Sequence, residues 1–178
     1  WNFGIDTQIL AGTGMPAAGT KLVISGLYGA SDSEAVVGSF TLPSVSNTPP
    51  VLQSSPGSML TVPNAANLFT MSGMDTNGGG TISVLELAAI AANESLLEAC
   101  VVRHSPADGI QLLGDNGSDA IPFNGQVIQN SQCIVNSASV QTNGNVRSLT
   151  ASVAFKTKFV GGHSLRSRIV DNFGATDT

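Results

Sequence analysis

Short runs in which every second residue is apolar, each closed by glycine, asparagine, aspartate or proline, recur along this chain and leave it few folds to adopt. The clearest sets Leu149, Ala151, Val153 and Phe155 against Thr150 and Ser152; another sets Leu165, Ser167 and Ile169 against Arg166, Arg168 and Val170. Side chains of a strand point alternately to the two faces of its sheet, so a period of two marks half-buried strands. Shorter apolar runs fall at 59–62, 68–71, 82–90, 97–104, 110–113 and 133–135, separated by Asn-Gly, Asp-Gly and Pro signals. Strands at this spacing predict an all-β sandwich over 49–178. The stretch 82–99 is rich in Ala, Leu and Glu, which propensity alone reads as helical; the surrounding strands override it here.

The first ten residues show the same alternation. Trp1, Phe3, Ile5 and Ile9 fall on one side with Thr7, and Asn2, Gly4, Asp6 and Gln8 on the other. Small residues with Pro16 follow, then two further runs at 21–25 and 35–42 around a turn, so 1–10 reads as an extension strand and 11–48 as a linker with a small hairpin. The start at Trp1 is read as a processed terminus.

Charge narrows the function. Only 11% of the 178 residues are charged, the net charge is −5, and seven basic residues supply no footprint for a phosphate backbone, so nucleic acid is not an expected partner. No run approaches the roughly 20 apolar residues that cross a bilayer. Cys100 and Cys133 stand in no metal-type spacing and read either as a structural bridge or as two buried thiols.

Few residues offer chemistry. The segment from Asp75 through Asn77, Gly79, Gly80, Thr81 and Ser83 to Glu86 approaches a calcium-loop pattern, with oxygen donors at positions 1, 3, 7, 9 and 12 and glycine at 6. Position 5 is Gly79, and a strand at Glu86 points away from Asp75. The readings are a plain Asn-Gly turn, a weak calcium site on Asp75 and Asn77, or an EF-hand-like loop that adds Glu86. No other cofactor is expected. Asp115, Asn116 and Asp119 form a second acidic loop, read as a solvated turn. His104, Ser105 and Asp108 are close in sequence, but a triad needs convergence in space with an oxyanion site, and Ser-Pro-Ala-Asp-Gly reads as a hairpin turn. His163 beside Gly161 and Gly162 reads as a loop residue. Asn93 and Asn116 open Asn-x-Ser triplets and are glycosylation candidates. The chain is not expected to be an enzyme.

Several of these segments carry a resemblance. Pro49-Pro50, the Asp75-Thr-Asn-Gly loop, the strand with Cys100, the Gln-Asn-Ser-Gln-Cys run at 129–133 with Val135 and Asn136, and the close at 164–174 together resemble the immunoglobulin-like repeats of large secreted and cell-surface bacterial proteins, over about 50–178. The resemblance implies an Ig-like β-sandwich, an extracellular or cell-surface location and a bridge between Cys100 and Cys133. Such repeats usually finish with a Trp-led strand after the Asp-Asn-x-Gly turn. Here a Trp-led strand stands instead at 1–10.

A sandwich short of one strand has an open edge that invites strand addition. Residues 1–10 either fold back into their own sandwich or enter a neighbour's, and the second arrangement builds a homopolymer. The expected function is an extracellular, pilus-like structural subunit. The alternative is a monomeric Ig-like adhesion module of a larger surface protein, with cell-surface or glycan ligands. A hydrolase accessory domain would need an aromatic platform, for which one Trp and one Tyr are poor material.

Overall fold

The computed structural model describes residues 46–91, 96–159 and 161–178, and Asn47–Thr178 form one compact unit. The extension strand 1–10, the linker and hairpin up to residue 45, and Asn93 lie outside the described residues. In chain order the strands are β1 (Val51–Ser54), β2 (Ala66–Met74), β3 (Ile82–Ile90), β4 (Cys100–Ser105), β5 (Gly109–Leu113), β6 (Ala120–Pro122), β7 (Ile128–Gln129), β8 (Cys133–Asn143), β9 (Val146–Phe155), β10 (Ser164–Asp171) and β11 (Thr176–Asp177).

They form an all-β sandwich of two antiparallel sheets. One has the order β1-β2-β9-β8-β7 and the other β11-β10-β3-β4-β5-β6. The chain changes sheet after β2, β6 and β9, so β9 returns to pair with β2 and β10 returns to pair with β3. Each sheet is thereby closed around strands distant in sequence.

Alternation decides which face each side chain takes. Phe69 and Met71 of β2, Leu149, Ala151 and Val153 of β9, Leu85, Leu87 and Ala89 of β3, Val102 of β4, Leu112 of β5 and Ile169 of β10 meet in one core between the sheets. Met71, Leu85, Leu112, Leu149 and Ile169 are fully buried, and burying a large apolar side chain stabilises by about 1.5–3 kcal/mol. A smaller apolar cluster of Ala88, Ile90, Ala99, Val101 and Leu113 occupies the opposite face of the six-stranded sheet.

The helix-prone stretch is a strand from Ile82 to Ile90 because it is central, laddered to β10 on one side and β4 on the other. Two expectations need correction. Residues 59–62 form no strand: Leu60 is fully exposed and Val62 largely so, and an apolar run with no facing surface gains nothing by extending. The run at 97–104 becomes a strand only at Cys100, because Glu98 has φ of 52°, a left-handed conformation that a β-ladder does not accept.

Candidate functional site

Cys100 and Cys133 form a disulfide, with Cα atoms 5.8 Å apart. It joins the first residue of β4 to the first residue of β8 and so clips one sheet to the other. Asn130, just ahead of it, is buried. Its Nδ2 donates to the carbonyls of Ala99 and Leu113, and its Oδ1 accepts from the backbone N–H of Gln132 and Cys133, each at 2.9 Å.

Asp75 and Asn77 share one turn. Asp75 is 1% exposed; its Oδ1 accepts from the Asn77 N–H at 2.8 Å and its Oδ2 from the Thr81 hydroxyl at 2.7 Å. The Asn77 Oδ1 accepts from the Thr48 N–H. Glu86 is not brought to this turn. It lies on the outer face of the six-stranded sheet, where Arg103 reaches it at 2.6 Å and Arg168 at 3.4 Å. Asp115 accepts from the Ser131 N–H, and Asn116, which is exposed, accepts from the N–H groups of Ser118 and Asp119. No group of three or more His, Cys, Asp or Glu side chains suited to a metal ion occurs among the described residues.

Ser105 donates its hydroxyl to the Asp108 carboxylate at 2.7 Å and accepts from the Asp108 N–H, closing the β4–β5 hairpin. His104 points the other way, into the sandwich, because successive residues of β4 face opposite sides. It is buried with no partner for Nδ1. Burial first and the Arg147 charge second hold its pKa below the usual 6.5. Burial also lowers the pKa of Arg147, whose Nη1 donates to the Ile82 carbonyl at 2.6 Å.

The feature that composition did not reveal is a cleft at the end of the sandwich where β2 begins and β9 ends. Phe69, Ala89, Phe155 and Leu165 form its floor, Phe159 and His163 one wall, and Pro56, Ser58, Met59 and Thr61 the other, around about 420 Å³. A small apolar recess of about 20 Å³ runs inward from the floor to Leu87 and Val102, while Phe69, Ala89 and Phe155 remain buried. Phe69 meets Phe155 edge-on at 5.8 Å, Phe159 stacks on Phe155 at 5.4 Å, and His163 stacks on Phe159 at 3.7 Å. The alternation at 149–155 puts Phe155 on a buried face, and 68–71 reads as a short apolar run around Phe69. Neither pattern carries a signal that residues from four strands converge on a gap.

The cleft adjoins the β2 side of the five-stranded sheet. β1 pairs with β2 only at Ser72, Gly73 and Met74. Along 66–71 the sole ladder of β2 among the described residues is to β9. On the facing sheet, β11 covers β10 only at Ile169 and Val170.

Among the described residues no helix is long and apolar enough to cross a membrane. No protein-family model matches this chain, and comparison with curated proteins and with solved structures finds no significant match.

Proposed function

We propose that this chain is an extracellular structural subunit that polymerises by strand exchange, residues 1–10 of one copy completing the sandwich of the next. The observation that carries this reading is the cleft over Phe69, Ala89, Phe155 and Leu165, beside a β2 edge whose residues 66–71 are laddered, among the described residues, to β9 alone. An added strand would pair with the outward N–H and C=O groups of residues 66–71 and close the cleft above its apolar floor. The alternating face of Trp1, Phe3, Ile5 and Ile9 suits it. Each large apolar side chain so buried contributes about 1.5–3 kcal/mol before ordering costs. Donor and acceptor are different surfaces, so the contact is heterologous and propagates into an open polymer unless its rotation closes a ring. The disulfide is in keeping with an oxidising compartment.

Light scattering after size exclusion, with electron microscopy, tests the reading across a concentration series. The full chain is expected to form filaments, and the chain lacking residues 1–10 to remain a monomer with its disulfide intact. A full chain that stays monomeric at every concentration would instead support the second reading, a monomeric adhesion module. The half-buried Phe159 and His163 stack at the cleft mouth favours that reading, because such a stack presents an apolar wall to a ligand.

A further inference from the structure

Resting on the strand-exchange reading, we infer that the acceptor is the β2 edge along residues 66–71, and that its occupant is the segment 1–10 of a second copy, laid beside β2 with its apolar face over the Phe69 cleft. Of the four sheet edges, the one at β6 is three residues long and ends in Pro122, and short strands and proline oppose pairing, so three compete for that role. β10 carries Arg166 and Arg168 on its outward face and is capped by β11 at Ile169 and Val170. Charged outward residues and short covering strands are how sheets discourage added strands. Among the described residues β8 is laddered to β9 alone from Ser137 to Asn143, but it leaves its register with a bulge between Val135 and Ser137, which twists an edge away from pairing. No cleft opens beside it among those described above.

The β2 edge is also capped by a short strand, but β1 reaches it only at 72–74, and the other two defences, outward charge and a bulge, are missing along 66–71. From 66 to 71 it reads Ala-Asn-Leu-Phe-Thr-Met with no charge, no proline and an unbroken register to β9. Leu68 is 66% exposed on its outer face, while Phe69 on its inner face is both core residue and cleft floor. Six residues of edge span about 20 Å, and their outward N–H and C=O groups alternate. Ten residues of alternating sequence therefore cover the edge fully. An occupant must be apolar towards the cleft and polar towards solvent. Trp1, Phe3, Ile5 and Ile9 meet the first condition, and Asn2, Asp6 and Gln8 the second.

Cysteine cross-linking of the full chain tests the assignment. Gly4→Cys, Asp6→Cys and Gln8→Cys, on the outward side of the donor segment, are each mixed with a second copy bearing Leu68→Cys in β2, Arg166→Cys in β10 or Ser139→Cys in β8. Leu68 and Ser139 sit on the outward face of their sheet, where substitution leaves the core intact, and native Cys100 and Cys133 are buried in their bridge. At least one donor position is expected to give reducible dimers and higher ladders with Leu68→Cys, at least tenfold above the other two acceptors. Filaments whose links form at Arg166→Cys or Ser139→Cys would overturn the β2 assignment and leave strand exchange standing. Filaments with no link at any position would also overturn the assignment. A Leu68 double variant, with donor and acceptor cysteines in one chain, that links only within itself would overturn the second-copy occupant. Absence of both filaments and links would sink the strand-exchange reading itself.

Discussion

Asn130 donates its side-chain amide to the Leu113 carbonyl at 2.9 Å, tying the turn that enters β8 to the last residue of β5 in the opposite sheet. The same amide holds Ala99, and the same side-chain oxygen holds the N–H of Cys133. Truncation by Asn130→Ala removes all of these bonds at a buried position. Buried groups left without partners cost about 1–3 kcal/mol each, so a loss of about 3–5 kcal/mol is expected, read as the shift of the urea midpoint. Asn130→Asp keeps the acceptor but turns a charged oxygen towards two carbonyls, and should be at least as damaging.

The bridge between Cys100 and Cys133 closes 33 residues. On the chain-entropy model a loop of this size is worth about 3–4 kcal/mol. Replacing both cysteines by alanine is expected to lower unfolding free energy by that amount, with the denaturant slope rising because the unfolded chain is no longer tethered. Cys100 is 3% exposed and Cys133 not at all, so reductant added to the folded protein should release no thiol, whereas reductant with denaturant should release two. Thiol titration under the two conditions checks this.

Much of this architecture is legible in the sequence because each long strand announces itself locally. The alternation at 149–155 and 165–170 fixes β9 and β10 and even the faces they bury. The short strands β1, β6, β7 and β11 are two to four residues long, too brief to show a period. At 59–62 the apolar residues are real but solvent-facing, a fact decided by which surfaces pass nearby and not by the run itself. The cleft is illegible for the same reason: Phe69, Ala89, Phe155 and Leu165 come from four strands spread over almost a hundred residues. Among the sites, the bridge was one of two readings that the cysteines left open and the one that the resemblance implied, and the Ser105–Asp108 hairpin was readable from its turn residues. The Asn130 clasp was not, since an asparagine in a polar run looks like solvent-facing loop.

His104 makes stability depend on acid. Its folded-state pKa is depressed by burial and by Arg147, while in the unfolded chain it titrates near 6.5. As pH falls below about 6.5, the unfolded state takes up a proton that the folded state refuses, and stability follows the difference in bound protons. This contribution is complete above the unfolded pKa, declines as pH drops from there, and levels off only below the folded pKa. The melting temperature should therefore fall between pH 7.5 and pH 5.5. His104→Gln, which stays neutral, should flatten that part of the profile even if it lowers stability at pH 7.5.

The turn at Asp75 is expected to be held by the protein's own hydrogen bonds, with calcium adding nothing. Both carboxylate oxygens of Asp75 already accept, one from the Asn77 N–H and one from the Thr81 hydroxyl, and Glu86 is engaged by Arg103 on the outer face of its sheet. Gly79, where a calcium loop would place a ligand, has no room for one: a Cβ there would lie 2.8 Å from the backbone of Val146. The Gly79 N–H donates to the Gly144 carbonyl, and the Asp75 N–H to that of Asn145, so the turn is fastened to the β8–β9 hairpin. Gly79→Ala should therefore destabilise by forcing the hairpin to move, and Asp75→Ala should cost about 2–3 kcal/mol through lost charge-assisted bonds. A ligand at a hundredfold excess over its Kd would stabilise the folded state by about 2.7 kcal/mol, easily seen as a higher melting temperature. Millimolar calcium against chelator is expected to give no such rise, and a rise abolished by Asp75→Ala would show that the turn opens to bind the ion.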